Sequence, residues 1–453
     1  MQTFDLIVIG AGSGLNISSK ASEMGLKVAI IEKGPMGGTC LNRGCIPSKI
    51  IIHSADVAET IRNSKNFGIS SKISSVDFRS ITSRASSIVD SEAKGIKEAI
   101  EEDKNTTLFN SEGKFIGDKT LKVGNETIKG KKIVIAAGTR PLIPNIEGLD
   151  KVDFMTSTEA LRLENQPKTL TILGGGYIAT ELAHFYGSLG TKINIIQRNK
   201  YLIPNEDEDI AKTFTEIWKK KYNILLNHDA VSVKKKSGKY IVEAKEGKKI
   251  KKVVSDKILV AVGRIPNTDV LDVEKTGVKT NEKGYINTNE YLQTTEKNIW
   301  ALGDIVGNYL FKHSANLEAE YVYNNALLNR KAKVDYTAMP HAIFSSPQVA
   351  GVGFTENQLN AKKISYAKGI HRYIKTGMGQ ALQDRDGFVK ILAGKKTKKI
   401  LGCYIIGTDA STLIHEVLIA MKYGISAEEL GNAVHIHPAL SEVVQRAAKG
   451  IEW

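Results

Sequence analysis

Two segments of the chain share one pattern, and this pattern restricts the fold more than any other feature. Each has an apolar strand, a glycine-rich turn, a helix, and a second strand that ends in a polar residue about twenty positions later. The segments read DLIVIGAGSGLNISSKASEMGLKVAIIEKG, residues 5–34, and TLTILGGGYIATELAHFYGSLGTKINIIQRN, residues 169–199. The pattern is typical of a βαβ unit that binds a dinucleotide. We therefore predict two such units and two dinucleotide sites.

The glycines of each turn have separate roles. Gly10 and Gly174 permit the tight turn. Gly12 and Gly176 let backbone N–H groups approach a pyrophosphate at the helix N-terminus. The third position, where helix packs closely on strand, is an alanine in the second unit but Leu15 in the first. Leu15 predicts that the first helix lies farther from its strand or is shifted in register.

The polar residues at the strand ends differ between the two units. Glu32 ends the second strand of the first unit, where a carboxylate can accept hydrogen bonds from a ribose. The second unit has Gln197 and Arg198 at the same place. This pair has no carboxylate to repel a 2′-phosphate, and it offers a cation to bind one.

Two of the three cysteines lie close together in GGTCLNRGCIPSK, residues 37–49. Pro47 favours a helix that begins nearby and continues through residues 49–64, which places Cys45 at a helix N-terminus, where a thiolate is favoured. Residues five apart in a straight helix are separated by about 7.5 Å along its axis, too far for a disulfide. A Cys40–Cys45 bridge therefore needs an irregular bend, which Gly44 can provide. Lys49 would share a helical face with Cys45.

Three other roles for these cysteines are open: a structural disulfide, a zinc site, and isolated thiols in the core. A chain of 453 residues with three cysteines does not need bridges to stabilise a small core. A zinc site needs a second ligand pair, and Cys403 stands alone. These points favour a redox dithiol, and we predict no metal.

Composition excludes some function classes. The chain is 42% hydrophobic and 25% charged, with a formal net charge of +14. Its lysine clusters are spread along the chain without interleaved aromatic residues, so we expect attraction of anionic nucleotides and no specific nucleic-acid partner. There is no basic leader, and no run approaches eighteen apolar residues. We expect a cytoplasmic protein with no membrane partner.

The same motifs carry a resemblance to a known family. The sequence GGTCLNRGCIPSK, the two glycine turns, the LGD stretch within residues 298–307 and HIHPALSE near the C-terminus are together similar to class I pyridine nucleotide-disulfide oxidoreductases. That family includes dihydrolipoyl dehydrogenase, glutathione reductase, mycothione reductase and mercuric reductase. The resemblance covers essentially the whole chain.

The resemblance implies an α/β fold with two Rossmann-like dinucleotide-binding domains and a C-terminal α+β dimerisation domain. The expected parts are an FAD-binding domain with the dithiol at 1–148, an NAD(P)-binding domain at 149–268, a central segment completing the FAD domain at 269–335, and an interface domain at 336–453. The expected cofactors are FAD and either NADPH or NADH. The residues expected to bind FAD are Gly10, Gly12, Gly14, Glu32, Lys33, Gly38, Thr39, Ala137, Gly138, Gly303 and Asp304. Those expected to bind NAD(P) are Gly174, Gly176, Tyr177, Ile178, Gln197, Arg198, Gly263 and Arg264.

The resemblance also implies catalytic roles. NAD(P)H reduces the flavin, which passes electrons to the Cys40–Cys45 disulfide. Cys45 matches the flavin-proximal thiol and Cys40 the interchange thiol that meets substrate. Lys49 matches a lysine near the flavin, and Glu181 matches the glutamate that pairs with it.

A histidine is the expected proton carrier of the dithiol. His437 matches the acid–base histidine of the family and Glu442 the carboxylate that orients it. In the family this histidine reaches the dithiol of the other subunit, so a homodimer with a shared active site is expected. Without the resemblance, His435 and His437 could instead be metal ligands or buried core histidines.

The expected substrate is a small disulfide or a lipoyl group, as in dihydrolipoyl dehydrogenase. Tyr177, Gln197 and Arg198 are more similar to NADPH-dependent enzymes, so a mycothione- or glutathione-type reductase is the alternative. A mercuric reductase is disfavoured because the C-terminal residues hold no cysteine pair. A non-catalytic binding protein on the same scaffold is disfavoured because all the expected catalytic residues are present.

Overall fold

A computed structural model describes every residue from Met1 to Trp453. The chain is a mixture of helices and strands, as predicted. It divides into two compact units, each built from three stretches of the chain. Unit 1 contains Met1–Ile50, Ser80–Leu142 and Gly263–Asp335, and unit 2 contains Ile51–Arg79, Ile143–Val262 and Tyr336–Trp453. No helix has both the length and the apolar character needed to cross a bilayer.

The strands and helices are numbered in chain order. The strands are β1 Gln2–Ile9, β2 Val28–Ile31, β3 Thr106–Phe109, β4 Gly113–Gly117, β5 Thr120–Val123, β6 Glu126–Ile135, β7 Thr139–Pro141, β8 Thr169–Leu173, β9 Lys192–Gln197, β10 Asn223–Leu226, β11 Asp229–Lys236, β12 Lys239–Glu246, β13 Lys249–Ser255, β14 Lys257–Val260, β15 Arg264–Pro266, β16 Ile299–Ala301, β17 Pro340–Ile343, β18 Gln348–Gly353, β19 Tyr366–Arg372, β20 Phe388–Gly394 and β21 Ile400–Gly407. The helices are α1 Leu15–Glu23, α2 Gly38–Arg43, α3 Cys45–Asn63, α4 Phe78–Glu102, α5 Ser157–Ala160, α6 Tyr177–Ser188, α7 Glu208–Lys221, α8 Thr268–Leu271, α9 Lys312–Val322, α10 Glu356–Ala361, α11 Gly377–Ala381, α12 Ala410–Lys422, α13 Ala427–Asn432 and α14 Glu442–Lys449.

Unit 1 is organised by a sheet in the order β3-β2-β1-β6-β5-β4, with β16 also paired to β6. Strands β3, β2, β1, β6 and β16 run parallel to their neighbours, and β4 and β5 are antiparallel additions. Alternate residues of β1 enter different cores: Ile7 packs in one cluster and Val8 in the other. A parallel sheet covered on both faces needs such continuously apolar strands.

Unit 2 contains three sheets. Strands β10, β9, β8 and β14 form a parallel sheet, and β11, β12 and β13 form an antiparallel sheet. The third sheet is antiparallel and has the order β17-β18-β21-β20-β19. The strand predicted at 388–393 is confirmed by β20, and the one at 399–407 by β21. Strand β20 is buried along its whole length because helices α12 and α14 and neighbouring strands share its core.

In the first βαβ segment, residues 5–34, the missing third glycine at Leu15 is explained by a shift in helix register. Helix α1 begins at Leu15, and the close approach to β1 occurs one residue earlier, at Gly14. A Cβ added to Gly14 would lie 2.6 Å from Gly10 O and 2.7 Å from Val8 Cγ1. The close helix–strand contact that the standard pattern places at its third glycine is therefore made at Gly14, one residue earlier. The shift was one of the two alternatives that Leu15 predicted.

Candidate active site

The two close cysteines flank a break between two helices. Cys40 lies in α2, and Cys45 is the first residue of α3, as the Pro47 signal predicted. Gly44 between them has φ −151° and ψ −111°, which is not helical. The break removes the axial separation that a continuous helix would impose on the two thiols. Neither cysteine is in a disulfide, and Cys40 is partly buried whereas Cys45 is exposed.

The two thiols interact with each other. The hydrogen bond to Cys45 raises the pKa of Cys40 well above the usual value for a thiol, and burial raises it further. The raised pKa of Cys40 disfavours its thiolate, so the protonation of the two thiols is linked.

Three cations lie on the elements around the pair. Lys49 lies one helical turn after Cys45, and its Nζ is 3.3 Å from Ser48 Oγ. The positive charges of Lys49 and Lys312 both act to lower the pKa of Cys40, and Arg264 interacts electrostatically with Cys45. The sequence reasoning did not identify Lys312 as a site residue, because nothing local marks the first residue of α9 as a neighbour of a dithiol about 270 residues away.

The first glycine turn has the form of a phosphate cradle. Gly10 has φ +104°, and a Cβ there would lie 2.3 Å from Ala136 O. Gly12 faces Gly38 so closely that a Cβ on Gly38 would lie 2.8 Å from Gly12 Cα. Gly37 N also donates to Ala11 O at 2.8 Å, so the segment leading into α2 is bound to the turn. The turn and the dithiol helix thus form one local structure.

Glu32 is fixed at the end of β2 by backbone donors. Its Oε2 accepts from Ala11 N at 2.9 Å and its Oε1 from Gly34 N at 2.8 Å. Each carboxylate oxygen can accept a second hydrogen bond, so Glu32 can still bind a ribose hydroxyl. Its neighbour Lys33 forms an exposed ion pair with Glu112 at 3.0 Å.

Asp304 follows β16 in a second polar cluster of unit 1. Its Oδ2 accepts from Thr139 Oγ1 at 3.0 Å, and burial raises its pKa. Arg264 donates to Thr139 Oγ1 and to Thr139 O, each at 2.7 Å, and burial lowers the pKa of its guanidinium. The structure therefore places Gly263 and Arg264, which were predicted to bind NAD(P), in unit 1 with Thr139 and Asp304.

The other residues predicted to bind FAD lie in the same unit. Thr39 is exposed on α2, and Gly303 N donates to the buried carboxylate of Glu318. Ala137 O accepts from Asn267 Nδ2 at 2.7 Å. A Cβ on Gly138 would meet no atom within 4 Å, so this position faces open space.

The second glycine turn connects β8 to α6 in unit 2. Gly174 has φ +103°, and a Cβ there would lie 2.3 Å from Ala261 O, whereas one on Gly176 would meet nothing within 4 Å. Ala179 is fully buried, as expected for the third position of the pattern. Ile178 is half-buried beside it on α6.

Tyr177 is held in place by a buried network. Its hydroxyl donates to the Glu206 carboxylate, whose other oxygen lies 2.9 Å from His341 Nε2. The Tyr177 ring stacks on the His341 ring with centroids 6.0 Å apart. Burial raises the pKa of Tyr177. The sequence reasoning did not identify Glu206 or His341 because they come from distant parts of the chain.

Gln197 ends β9 and Arg198 follows it, and the two side chains have different environments. Gln197 is buried, with Nε2 3.4 Å from Tyr201 O, whereas Arg198 is exposed. Glu181, one turn after Tyr177, accepts from Phe344 N at 3.0 Å. The expected pairing of Glu181 with Lys49 stays a prediction.

The C-terminal histidines have different partners. His437 Nδ1 lies 3.0 Å from Glu442 Oε1, and Glu442 Oε2 also accepts from Ala439 N at 3.2 Å. The hydrogen bond from His437 is the main cause that lowers the pKa of Glu442 to about 2. His435 is instead bonded to Glu416, with Nε2 and Oε2 3.1 Å apart. The two histidines therefore do not form one site.

A group of three carboxylates, Asp207, Asp209 and Glu356, surrounds Lys390 in unit 2. The Nζ of Lys390 lies 2.8 Å from Asp207 and 2.7 Å from Asp209, and it also contacts Glu356. The ammonium occupies the position that a cation would take between these oxygens. The cluster is an ion-pair network built on a buried Lys390–Asp207 pair, with Asp209 and Glu356 partly exposed.

The fold and the dithiol together define a class: an α/β protein with two dinucleotide-type turns and a thiol pair beside one of them. Residues 4–329 match the pyridine nucleotide-disulphide oxidoreductase family, and residues 339–448 match the dimerisation domain of the same name. The chain belongs to this family and is a flavoprotein oxidoreductase. The family uses FAD and NAD(P)H.

Several relatives match over nearly the full chain. Mycothione reductase of Mycobacterium tuberculosis is 34% identical, covering 100% of both chains. Dihydrolipoyl dehydrogenase 1, mitochondrial, of Arabidopsis thaliana is 35% identical, covering 98% of this chain and 89% of the relative. Mercuric reductase of Staphylococcus aureus is 32% identical, covering 98% and 82%.

Solved structures of a flavoprotein disulfide reductase also superpose on nearly the whole chain. The HOCl-induced flavoprotein disulfide reductase RclA from Escherichia coli superposes with a TM-score of 0.87 at 27% identity, covering 99% of both chains. A copper(II) complex of RclA superposes with a TM-score of 0.89 at the same identity. The predicted family and fold class are therefore confirmed.

The residues present fit both dinucleotides. In unit 1 a Cβ on Gly10 or Gly14 would clash with neighbouring atoms, and Glu32 is held at the ribose position. In unit 2 the Gly174–Gly176 turn opens α6, with open space at Gly176. Both turns precede a helix N-terminus, which favours a phosphate.

Proposed function

We propose that the protein transfers electrons from NAD(P)H, through FAD, to the Cys40–Cys45 pair and from there to a small disulfide. The observation that carries this proposal is the thiol pair itself. Cys40 and Cys45 flank a helix break with no disulfide between them, and a hydrogen bond couples the two thiols. A pair with this geometry can form and open a disulfide without disturbing a hydrophobic core.

FAD, when bound, supplies the two-electron step between the nicotinamide and the dithiol. We assign FAD to the Gly10–Gly14 turn with Glu32, together with Lys33, Gly38, Thr39, Ala137, Gly138, Gly303 and Asp304. We assign NAD(P) to the Gly174–Gly176 turn with Tyr177, Ile178, Gln197 and Arg198. Gly263 and Arg264 were predicted to bind NAD(P). Their position beside Thr139 and Asp304 supports a role near the first dinucleotide instead.

The exchange step uses both cysteines and one base. Cys40 gives its proton to His437 and attacks a substrate sulfur, which breaks the substrate disulfide. The departing thiolate takes the proton from His437. Cys45, as thiolate, then attacks Cys40 and releases the second substrate thiolate, which takes one proton from solvent. The balance is one disulfide reduced and one Cys40–Cys45 disulfide formed.

His437 acts on the dithiol of the partner subunit in this proposal, so the enzyme is a homodimer with a shared site. Two observations support this. The imidazole is 71% exposed on its own subunit, although Glu442 fixes its orientation. Val434 and Ile436 in the same segment are also highly exposed, and exposed apolar residues of this kind mark an interaction surface. The predicted segments 1–148, 149–268, 269–335 and 336–453 are the working parts of each subunit in this proposal, except that Gly263 and Arg264 belong with the FAD-binding parts.

We propose that the substrate is a lipoyl group or the disulfide of a low-molecular-weight thiol. Two features support an NADPH-dependent reductase as the alternative to a dihydrolipoyl dehydrogenase. The Tyr177 hydroxyl donates a hydrogen bond to the buried Glu206 carboxylate, and the Arg198 cation is exposed. A metal-ion reductase has less support. Its cargo needs accessible thiols beyond the dithiol, and Cys403 is fully buried.

The test is an anaerobic titration of the FAD-loaded protein with NADPH and, separately, with NADH. We expect long-wavelength thiolate-to-flavin absorbance to appear, and lipoamide or an oxidised low-molecular-weight thiol to discharge it. The discharging compound identifies the substrate class. Full bleaching of the flavin without this band would show that the two cysteines are not coupled to it and would remove the proposal.

A further inference from the structure

Lys312 is a half-buried cation fixed against the first glycine turn. It is the first residue of α9, and its Nζ donates to Ser13 Oγ at 2.9 Å. The Ser13 hydroxyl in turn donates to Asn316 Oδ1 at 2.9 Å, one helical turn further along α9. Ser13 is itself buried. Two side chains of one helix face therefore hold the same hydroxyl, which restricts where the ammonium can go.

The turn that holds Lys312 also holds the dithiol helix. Gly12, next to Ser13, approaches the start of α2 closely, because a Cβ added to Gly38 would lie 2.8 Å from Gly12 Cα. Gly37 N donates to Ala11 O at 2.8 Å. Cys40 follows two residues after Gly38, so α9, the turn and the dithiol are connected by direct contacts.

The charge of Lys312 acts on both sulfurs. Burial lowers the pKa of Lys312, while Cys40 and then Cys45 act to raise it. In the opposite direction, Lys312 acts more strongly than Lys49 to lower the pKa of Cys40. Lys49 on α3 also acts to lower the pKa of Cys40, and Arg264 on β15 interacts electrostatically with Cys45.

We propose that Lys312, held by Ser13, is a positioning residue that stabilises the thiolate of the reduced Cys40–Cys45 pair. Two electrons from NAD(P)H break the S–S bond and leave two thiolates. One proton goes to Cys40, and the remaining charge lies on Cys45, beside the cations. This inference rests on the proposed function, because it requires the pair to cycle between disulfide and dithiol.

The test measures thiolate titration in the reduced, FAD-loaded enzyme. Iodoacetamide alkylation rate and long-wavelength absorbance are followed from pH 4 to 10 in the wild type and in Lys312→Met. We expect the thiolate midpoint to rise by about one pH unit, the low end of the effect of a neighbouring opposite charge. We expect Lys312→Arg to restore most of the wild-type midpoint.

The matched control is Lys20→Met, which removes the same charge from α1, where Lys20 pairs with Glu320 at the other end of α9. Its midpoint should equal that of the wild type. If Lys312→Met does not fold or bind FAD, Ser13→Ala releases the ammonium and should raise the midpoint by a smaller amount. An unchanged midpoint in the Lys312 and Ser13 variants, or an equal shift in the control, would overturn the inference.

The long-wavelength absorbance and disulfide turnover of the wild type distinguish failure of the proposed function from failure of the role of Lys312. If the wild type shows no thiolate band and no disulfide turnover, the proposed function fails. If the wild type shows both and the Lys312 variants titrate like it, only the role of Lys312 fails.

Discussion

The imidazole Nδ1 of His437 lies 3.0 Å from Oε1 of Glu442, with the histidine exposed and the carboxylate buried. Glu442 begins α14 and is held in addition by Ala439 N and by Arg446 Nη2. The carboxylate thus fixes one ring nitrogen, while 71% of the His437 side chain stays exposed. Such an arrangement suits a base that works on a neighbouring subunit.

Replacing His437 tests this role. We expect His437→Ala to slow thiol–disulfide exchange by about 10²- to 10⁴-fold, the usual contribution of general acid–base catalysis. Flavin reduction by NAD(P)H should be nearly unchanged, and stopped-flow absorbance separates the two half-reactions. His435→Ala is the control, because His435 is bonded to Glu416 instead. An equal loss in both half-reactions would contradict the assignment.

Replacing one cysteine at a time separates their roles. We expect Cys45→Ser to keep reduction by NAD(P)H but to lose disulfide reduction and the long-wavelength band. We expect Cys40→Ser to lose disulfide reduction but keep a thiolate at Cys45. Cys403→Ser, a change in the buried third cysteine, is the control. A band that persists in Cys45→Ser would assign it to another group.

Arg198 tests the choice of nicotinamide. We expect Arg198→Glu to lower the ratio of kcat/KM for NADPH to that for NADH by about 10- to 100-fold, because a charged hydrogen bond to a phosphate contributes about 1.5 to 3 kcal/mol. Lys192→Glu makes the same charge reversal at the other, amino end of β9 and should leave the ratio unchanged. An unchanged ratio in Arg198→Glu would remove the proposed phosphate contact.

Lys390 tests the buried ion-pair network. We expect Lys390→Met to lower the free energy of unfolding by about 3 to 5 kcal/mol, because it leaves the buried Asp207 carboxylate without its ammonium. Lys368→Met is the matched control: Lys368 also pairs with Glu356, at 3.1 Å, but is half exposed, so the expected cost is below about 1 kcal/mol. Urea unfolding measures both. Equal losses of unfolding free energy in Lys390→Met and Lys368→Met would show that the network stabilises the fold no more than a surface ion pair does.

Acid should weaken the protein through two carboxyl groups. Burial acts to raise the pKa of Glu356, but hydrogen bonds with Lys390 and Tyr366 lower it to about 2. The hydrogen bond from His437 lowers the pKa of Glu442 to about 2. The unfolded chain therefore binds these protons first, and stability should fall as pH drops from about 4.5 toward 2. Glu356→Gln should flatten part of this decline in urea unfolding, whereas Glu98→Gln on the exposed face of α4 should not.

Much of the local structure could be predicted from the sequence. The strands of the two glycine-turn units, the strands at 388–393 and 399–407, the helix N-terminus near Cys45 and the family followed from local spacing and motifs. The position of Gly14 shows the limit. The glycine spacing indicated a departure at Leu15, but only the packing against Val8 shows that the helix register is shifted. The catalytic and cofactor roles of individual residues, and the four-part domain division, stay predictions.

The sequence by itself determined the two glycine turns and the cysteine pair, because each depends on residues within about thirty positions of one another and on backbone rules. Only the tertiary structure brought Lys312 to the first turn, Glu206 to Tyr177 and Lys390 to three carboxylates. These contacts join residues that are distant in the chain. Their energies depend on burial and on charges from other elements, which a linear pattern does not contain.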